Sequence, residues 1–277
     1  MRNAFCIDLE DYYQVNNVGI SYFDWDDYDS RIQKGTSILL CLLERFDVKA
    51  TFFIVSYIAQ LEPNLICEIA AKGHEIACHT HTHQMLNRYT PDVLRKELEH
   101  SVDTLQKLTG SPILGFRAPS WSLTMQTLWV IDILKEIGFK YDSSILPFNR
   151  VMHLQGIPHS KRTIHRLENG LIEFPVSVGK IMGLLYPFSL GTVFRLTPYA
   201  ITRRCIRRFH SANQSPVVIS THPWELDPYQ PRHRVSALQQ FILLGQMSKL
   251  EHKLTRLFQD FSFGRAVDVL TEQGFLD

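Results

Sequence analysis

The chain has 277 residues, 45% of them hydrophobic, and its 29 Lys and Arg against 28 Asp and Glu leave a formal charge of +1. That length allows one barrel-sized unit with a large core, and nothing in the overall charge calls for nucleic acid or an anionic membrane. The five cysteines (Cys6, Cys41, Cys67, Cys78 and Cys205) are odd in number and lack metal or redox spacing, so they read as reduced thiols of a cytoplasmic protein. Asp8, Glu10 and Asp11 interrupt the first residues, so no secretory signal is expected, and no apolar window is long enough to predict a transmembrane segment.

Residues 4–9 form an apolar run ending in acid, the pattern of a buried strand whose carboxyl end carries function. Side chains two apart on a strand face the same way, so Asp8 and Glu10 address one site while Leu9 faces the core. If the strand ends early, Asp11 takes that place. Carboxylates crowded this closely repel unless a cation lies between them. Residues 22–29 read as an acidic, aromatic loop, 32–46 as a helix, 49–55 as a buried strand and 63–72 as a helix opened by proline and closed by Gly73.

A strand over 75–78 then runs into His79-Thr80-His81-Thr82-His83. Coiling into a helical turn lets His79 and His83 close on one ion, whereas an extended course aligns all three histidines; the polar residues after Met85-Leu86 favour the turn. His81 is then expected to point away.

A helix follows from Thr90 to about Leu108, then a strand over 113–116 leading into Arg117-Ala118-Pro119-Ser120-Trp121. Residues 126–137 read as helix and 139–141 as a short strand ending at Asp142. The stretch 146–169 reads as an insertion or long loop, 171–176 as a strand, 179–191 as a glycine-punctuated loop, and 198–210 as a helix whose Arg203, Arg204, Arg207 and Arg208 form a solvated face. The last clear strand, 216–222, ends in His222, and helices are expected over 236–258 and 264–272. Alternating strands and helices predict a mostly parallel sheet with right-handed crossovers. Asp8, His79, Arg117, Asp142 and His222 all fall at strand carboxyl ends, where parallel barrels gather their reactive groups. Two histidines and one carboxylate make a three-ligand site with open positions, suited to a hydrolytic divalent ion; Zn2+ fits best, with Co2+ or Ni2+ as alternatives.

These segments, together with Ala50-Thr51-Phe52-Phe53, Gly73-His74-Glu75-Ile76, Tyr141-Asp142-Ser143-Ser144 and His222-Pro223-Trp224-Glu225-Leu226-Asp227-Pro228, resemble the NodB-homology polysaccharide deacetylases, in particular the branch associated with exopolysaccharide biosynthesis. The resemblance implies an α/β fold, a distorted (β/α) barrel of about seven strands. It implies a single catalytic domain over 1–277, with a family-specific insertion around 146–215 and C-terminal helices over 236–277. The implied activity is metal-dependent removal of N-acetyl groups from amino sugars of a polysaccharide or its precursor, with an acetylated glycan as partner and peripheral contact with polysaccharide-synthesis machinery.

Carried onto this sequence, the resemblance makes Asp8 the catalytic base and His79, His83 and Glu10 the metal ligands, with Asp11 as the alternative to Glu10. Arg117 would hold Asp8, the backbone N–H of Ser120 would help stabilise an oxyanion, and His222 would protonate the departing amine, oriented by Asp142. Two departures stand out. The first acids are spaced Asp8-Leu9-Glu10-Asp11 where the family usually has adjacent acids, and no tryptophan follows Asp142 closely, which leaves Trp121 or Trp224 to supply a sugar-stacking face or simply to pack. Hydrolysis of a cyclic ureide or imide on the same fold, or glycan binding without catalysis, are the competing readings.

Overall fold

A computed structural model describes residues 1–148, 150–151, 154–181 and 183–277. Strand β1 (Asn3–Leu9) is buried along its whole length, as a strand covered on both faces must be. On one side it pairs in parallel with β2 (Thr51–Ile54), which continues to β3 (Glu75–Cys78), β4 (Gly115–Phe116) and β5 (Tyr141–Asp142). The hairpin β6–β7 (Arg150–Val151, Leu154–Gln155) lies apart from the main sheet. Next come β8 (His165–Arg166) and β9 (Ile172–Glu173); β9 extends the sheet in parallel beside β5 and carries β8 antiparallel at the edge. A second small hairpin, β10–β11 (Gly179–Ile181, Leu184–Tyr186), precedes β12 (Val218–Thr221), which pairs with the other side of β1. Finally β13 (Phe263–Gly264) pairs with the start of β1.

The result is a mixed α/β fold around a strongly curled half-barrel of eight strands in the order β12-β1-β2-β3-β4-β5-β9-β8. The expected distorted barrel is thus an open, curled half-barrel, with β13 as a ninth strand of the same sheet beside β1. The free side of β12 is met by the chain that follows β9, with Val218 N–H donating to Ser177 Oγ (2.9 Å) and Ser220 N–H donating to the Ser189 carbonyl (3.0 Å).

Ten helices are described: α1 (Ile32–Arg45), α2 (Ser56–Leu61), α3 (Pro63–Ala71), α4 (Pro91–Thr109), α5 (Val130–Ile137), α6 (Gly191–Leu196), α7 (Tyr199–Asn213), α8 (Ala237–Leu244), α9 (Leu250–Asp260) and α10 (Ala266–Glu272). In α1 the buried Ile32, Gly35, Thr36, Leu39 and Leu43 recur at helical spacing. The helix expected over 236–258 is split into α8 and α9, because Gly245 is extended and Gln246 is left-handed (φ 62°). The segment 126–129 belongs to a turn in which Thr124 N–H donates to Thr127 Oγ1 (2.8 Å), so α5 starts late. Inside the stretch expected as the loop 179–191 lies the β10–β11 hairpin, and inside 146–169 lie β6, β7 and β8. Buried Lys253 of α9 donates to the carbonyls of Phe194 and Arg195 (2.7 Å each) and of Thr197, which anchors the carboxyl end of α6.

Helix α1 packs on the segment Pro223–Leu226 through Gly35. A Cβ there would fall 1.9 Å from the Pro223 carbonyl oxygen. Gly35→Ala should therefore destabilise the fold by about 1–3 kcal/mol in spite of alanine's better helix propensity, read as a lowered midpoint in urea denaturation; an unchanged or raised midpoint would contradict this packing.

Candidate metal and hydrolytic site

Strand carboxyl ends converge on one cavity lined by Asp8, Glu10, His79, His83 and His222. Strand β1 stops at Leu9, and Glu10 N–H turns back to the Asp8 carbonyl (3.0 Å). Both carboxylates thereby reach the cavity, while Asp11 turns the other way. Its carboxylate accepts from Arg31 N–H and Ser30 Oγ (2.8 Å each) and from Ile32 N–H (3.1 Å), which ties it to the N-terminus of α1. That engagement removes Asp11 as an alternative to Glu10.

The histidine tract neither coils into a helical turn nor stays extended. Thr80 (φ 63°) and His83 (φ 50°) are left-handed, and Thr80 Oγ1 accepts from His83 N–H (3.1 Å). A β-branched residue held in that region is strained, typically by about 1–3 kcal/mol. The strain swings His83 back onto His79, with the two Nε2 atoms 3.2 Å apart. His81 points elsewhere, its Nδ1 2.9 Å from Ser56 Oγ.

The outer nitrogens decide what the inner ones can do. His79 Nδ1 lies 2.7 Å from the Arg117 carbonyl and His83 Nδ1 lies 2.9 Å from the Gln14 carbonyl. A carbonyl only accepts, so each Nδ1 carries the hydrogen and each Nε2 presents a bare lone pair. Glu10 Oε2 sits 2.7 Å from His83 Nε2, and the three side chains, all buried, hold their ligand atoms within 4.8 Å of one another. Converging lone pairs and a carboxylate, out of water, fit a divalent cation. Burial carries the His79 imidazole down to about 4, against the pull of Asp8, which keeps it neutral as a ligand must be. Burial disfavours ionised Glu10, but positive charge placed opposite it, first at His83 and then at His222 and His79, outweighs burial and holds the carboxyl well below the usual range; with both ligand histidines neutral, a bound cation would supply that charge.

Asp8 is not one of the three. Its Oδ1 accepts from buried Arg117 Nη1 (2.6 Å). The rest of that guanidinium is also matched: Nη1 to Ser220 Oγ (3.0 Å), Nη2 to Ser143 Oγ (2.9 Å) and Nε to the Ser143 carbonyl (3.1 Å). It also lies 4.1 Å from the Phe53 ring centroid and 4.7 Å from that of Trp121. His222 completes the centre, with Nε2 3.8 Å from Asp8 Oδ2 and 3.7 Å from Glu10 Oε1.

The orienting partner of His222 is Glu225, where Asp142 was expected. His222 Nδ1 and Glu225 Oε2 are 3.0 Å apart, and Glu225 Oε1 accepts from Arg195 Nε (2.7 Å). Burial opposes a charged His222, yet the bond to Glu225 and the charges of Glu10, Glu225 and Asp8 raise its imidazole to about 9. Asp142 instead lies opposite Glu173 in the β5–β9 ladder and accepts from Ser144 Oγ, which in turn accepts from Ala118 N–H (2.8 Å). Burial raises both acids, and for Glu173 the charge of Asp142 adds to it. Asp142 thus braces the strand end that carries Arg117.

Trp224 is no open stacking face either. It lies 5.2 Å from the His222 ring at 20°, and its indole N–H donates to Glu10 Oε1 (3.0 Å). Trp121 and Ser120 line the cavity, both left-handed (φ 54° and 51°), and Asn16 Nδ2 ties Ser120 Oγ (2.9 Å) to the His83 carbonyl (3.0 Å). Sequence reasoning missed Glu225, Arg195, Asn16 and an apolar wall of Leu190, Val193, Ile242 and Leu243. Only Glu225 left a usable signal, an acid three residues after His222 in a turn opened by Pro223.

Residues 17–141 match the family model described as polysaccharide deacetylase. This amino-terminal part of the chain is thereby similar to the polysaccharide deacetylases. Residues 143–271 match a domain of unknown function, DUF3473. A putative polysaccharide deacetylase of Bacillus subtilis, YheN, is 28% identical over 188 residues, covering 61% of this chain and 66% of that protein. A peptidoglycan-N-acetylglucosamine deacetylase of Bacillus cereus is 31% identical over 107 residues, 39% of this chain and 37% of its own length. The matches to three other curated relatives span 52%, 18% and 32% of their lengths, about half or less. The crystal structure of a putative polysaccharide deacetylase from Mycobacterium smegmatis superposes with a TM-score of 0.65 over 99% of this chain and 91% of that one, at 21% identity, which shows a shared fold.

Zn2+ titration followed by calorimetry tests the ligand set. His79→Ala should abolish tight binding, and Trp224→Phe, which leaves Glu10 in place but removes its indole donor, should weaken it by about 10- to 100-fold. Wild-type affinity in His79→Ala would refute the set.

Proposed function

We propose that this chain is a metal-dependent hydrolase that removes N-acetyl groups from amino sugars of a polysaccharide or its precursor. The observation that carries this reading is the pairing of two converging imidazole lone pairs and Glu10 with a carboxylate, Asp8, that is held outside the ligand set by Arg117. A binding module has no use for a base and an acid poised around one cation site. The Bacillus cereus relative, by its name, acts on an N-acetylated sugar, which supports the same bond here.

His79, His83 and Glu10 would hold the ion, and Zn2+ suits two imidazoles with one carboxylate. When bound, such an ion polarises the acetyl carbonyl and makes water acidic enough to ionise near neutral pH. Asp8 takes a proton from the attacking water, whose oxygen bonds to the carbonyl carbon. Arg117 aims that carboxylate through its fixed guanidinium. His222, on the opposite side, gives its Nε2 proton to the sugar nitrogen as the carbon–nitrogen bond breaks, so that an amine leaves rather than an amide anion. Acetate and the free amino sugar result. Glu225 accepts the Nδ1 hydrogen of His222 and holds the ring in register with both acids.

We further assign the protein to exopolysaccharide biosynthesis, as a single catalytic domain on the cytoplasmic side; its five free cysteines support a reducing compartment.

Acetate release from a panel of acetylated oligosaccharides and cyclic ureides, with and without chelator, tests the reading. Chelator-sensitive acetate release from glycans is expected, with Asp8→Asn and His222→Ala each slowed by about 10²- to 10⁴-fold. Turnover of a cyclic ureide with no acetate from any glycan would overturn it.

A further inference from the structure

The near-neutral total charge hides a strongly uneven distribution. Between residues 174 and 250 there are nine Lys and Arg and only two acids, Glu225 and Asp227. Both acids are buried in ion pairs, with Arg195 and Arg31 respectively. The exposed surface of this stretch therefore presents positive charge alone, from Lys180 on β10, Arg204, Arg207 and Arg208 on α7, and Arg232 and Arg234 ahead of α8.

Large apolar side chains stand out among those bases. Helix α8 reads Ala-Leu-Gln-Gln-Phe-Ile-Leu-Leu, yet only Leu243 is buried; Leu238 is 69% and Phe241 56% exposed. Leu184 of the β10–β11 hairpin is 75% exposed and Ile201 of α7 is 40% exposed. The elements that carry them adjoin one another. Phe241 and Leu196 both crowd Gly245, each with a side-chain carbon 3.1 Å from where its Cβ would lie, and Leu196 shares a groove with Leu185 and Ile201. That groove also borders the catalytic mouth, since Val193 lines both the groove and the metal cavity, and α8 supplies Ile242 and Leu243 to the cavity wall.

We propose that α8, the β10–β11 hairpin and the exposed side of α7 form a docking face for an anionic phospholipid surface. Leu238, Phe241 and Leu184 enter the acyl boundary and the surrounding arginines engage lipid phosphates. A second copy of the chain would cover the apolar residues but would set like charges against each other across a symmetric interface, with no exposed acid in this stretch to compensate. An anionic bilayer supplies the apolar layer and the opposite charge together. Among the described residues no helix is long and apolar enough to cross a membrane, so this face would rest on the lipid without spanning it. Docked in this way, the mouth opens at the headgroup level. If the hydrolase reading holds, its substrate is then a glycan carried on a lipid or growing at the membrane surface.

Vesicle sedimentation tests the face and reads binding alone, so its failure is separate from any failure of the hydrolase assignment. The protein should pellet with vesicles containing phosphatidylglycerol, should do so far less with phosphatidylcholine alone, and should be released by salt. Leu238→Ser/Phe241→Ser and Arg204→Glu/Arg208→Glu should each reduce vesicle binding by about tenfold or more, while melting temperature and acetate release from a soluble oligosaccharide stay at wild-type values. Absence of binding to either vesicle, equal binding to both, or a dimer in sedimentation velocity that Leu238→Ser/Phe241→Ser dissociates would each overturn the proposal.

Discussion

Two backbone carbonyls set the chemistry of this site. By accepting from the Nδ1 hydrogens of His79 and His83, the Arg117 and Gln14 carbonyls fix both tautomers and leave two lone pairs facing each other at 3.2 Å. Without a shared cation this arrangement is repulsive, and it is held in place by left-handed backbone at Thr80 and His83. The Arg117 carbonyl orients His79 while the guanidinium of the same residue holds Asp8, so a single residue sets the distance between the candidate cation site and the acid outside it. Asp142, through Ser144 and Ala118 N–H, steadies the chain immediately after it.

Much of this was legible in the sequence because it follows from local rules. The strand ending at Cys78, the four-residue spacing of His79 and His83, and an arginine and a histidine at later strand ends all survive in the structure. Glu10 reaches the site as strand alternation suggested, although a reverse turn carries it there. Other features depend on distant packing that no window reveals. Asp11 is also a carboxylic acid and is adjacent, but the α1 N-terminus, some twenty residues away, claims it. Asp142 occupies the expected motif position, yet its neighbour across the sheet is Glu173, and the turn after β12 offers His222 a nearer acid. The break between α8 and α9 was hidden because the apolar pattern continues through Gly245.

The portion matching DUF3473 is integral to the reactive centre. It contributes β12 and His222, the Trp224 donor to Glu10, and the apolar wall from α6 and α8. Arg195 joins these parts, pairing with Glu225 while donating to the carbonyls of Ile242 (2.6 Å) and Gly245 at the end of α8. Arg195 thus ties the end of the outer helix α8 to the acid that orients His222.

The position of β1 has a further consequence during synthesis. Its partners on either side, β2 and β12, enter the chain more than 160 residues apart. On a ribosome the first strand waits with one edge bare until the last fifth of the polypeptide emerges, and contacts of such long sequence separation form slowly. A nascent or truncated chain ending before residue 218 lacks both the closing strand and His222. The cavity is therefore complete only once the core has closed.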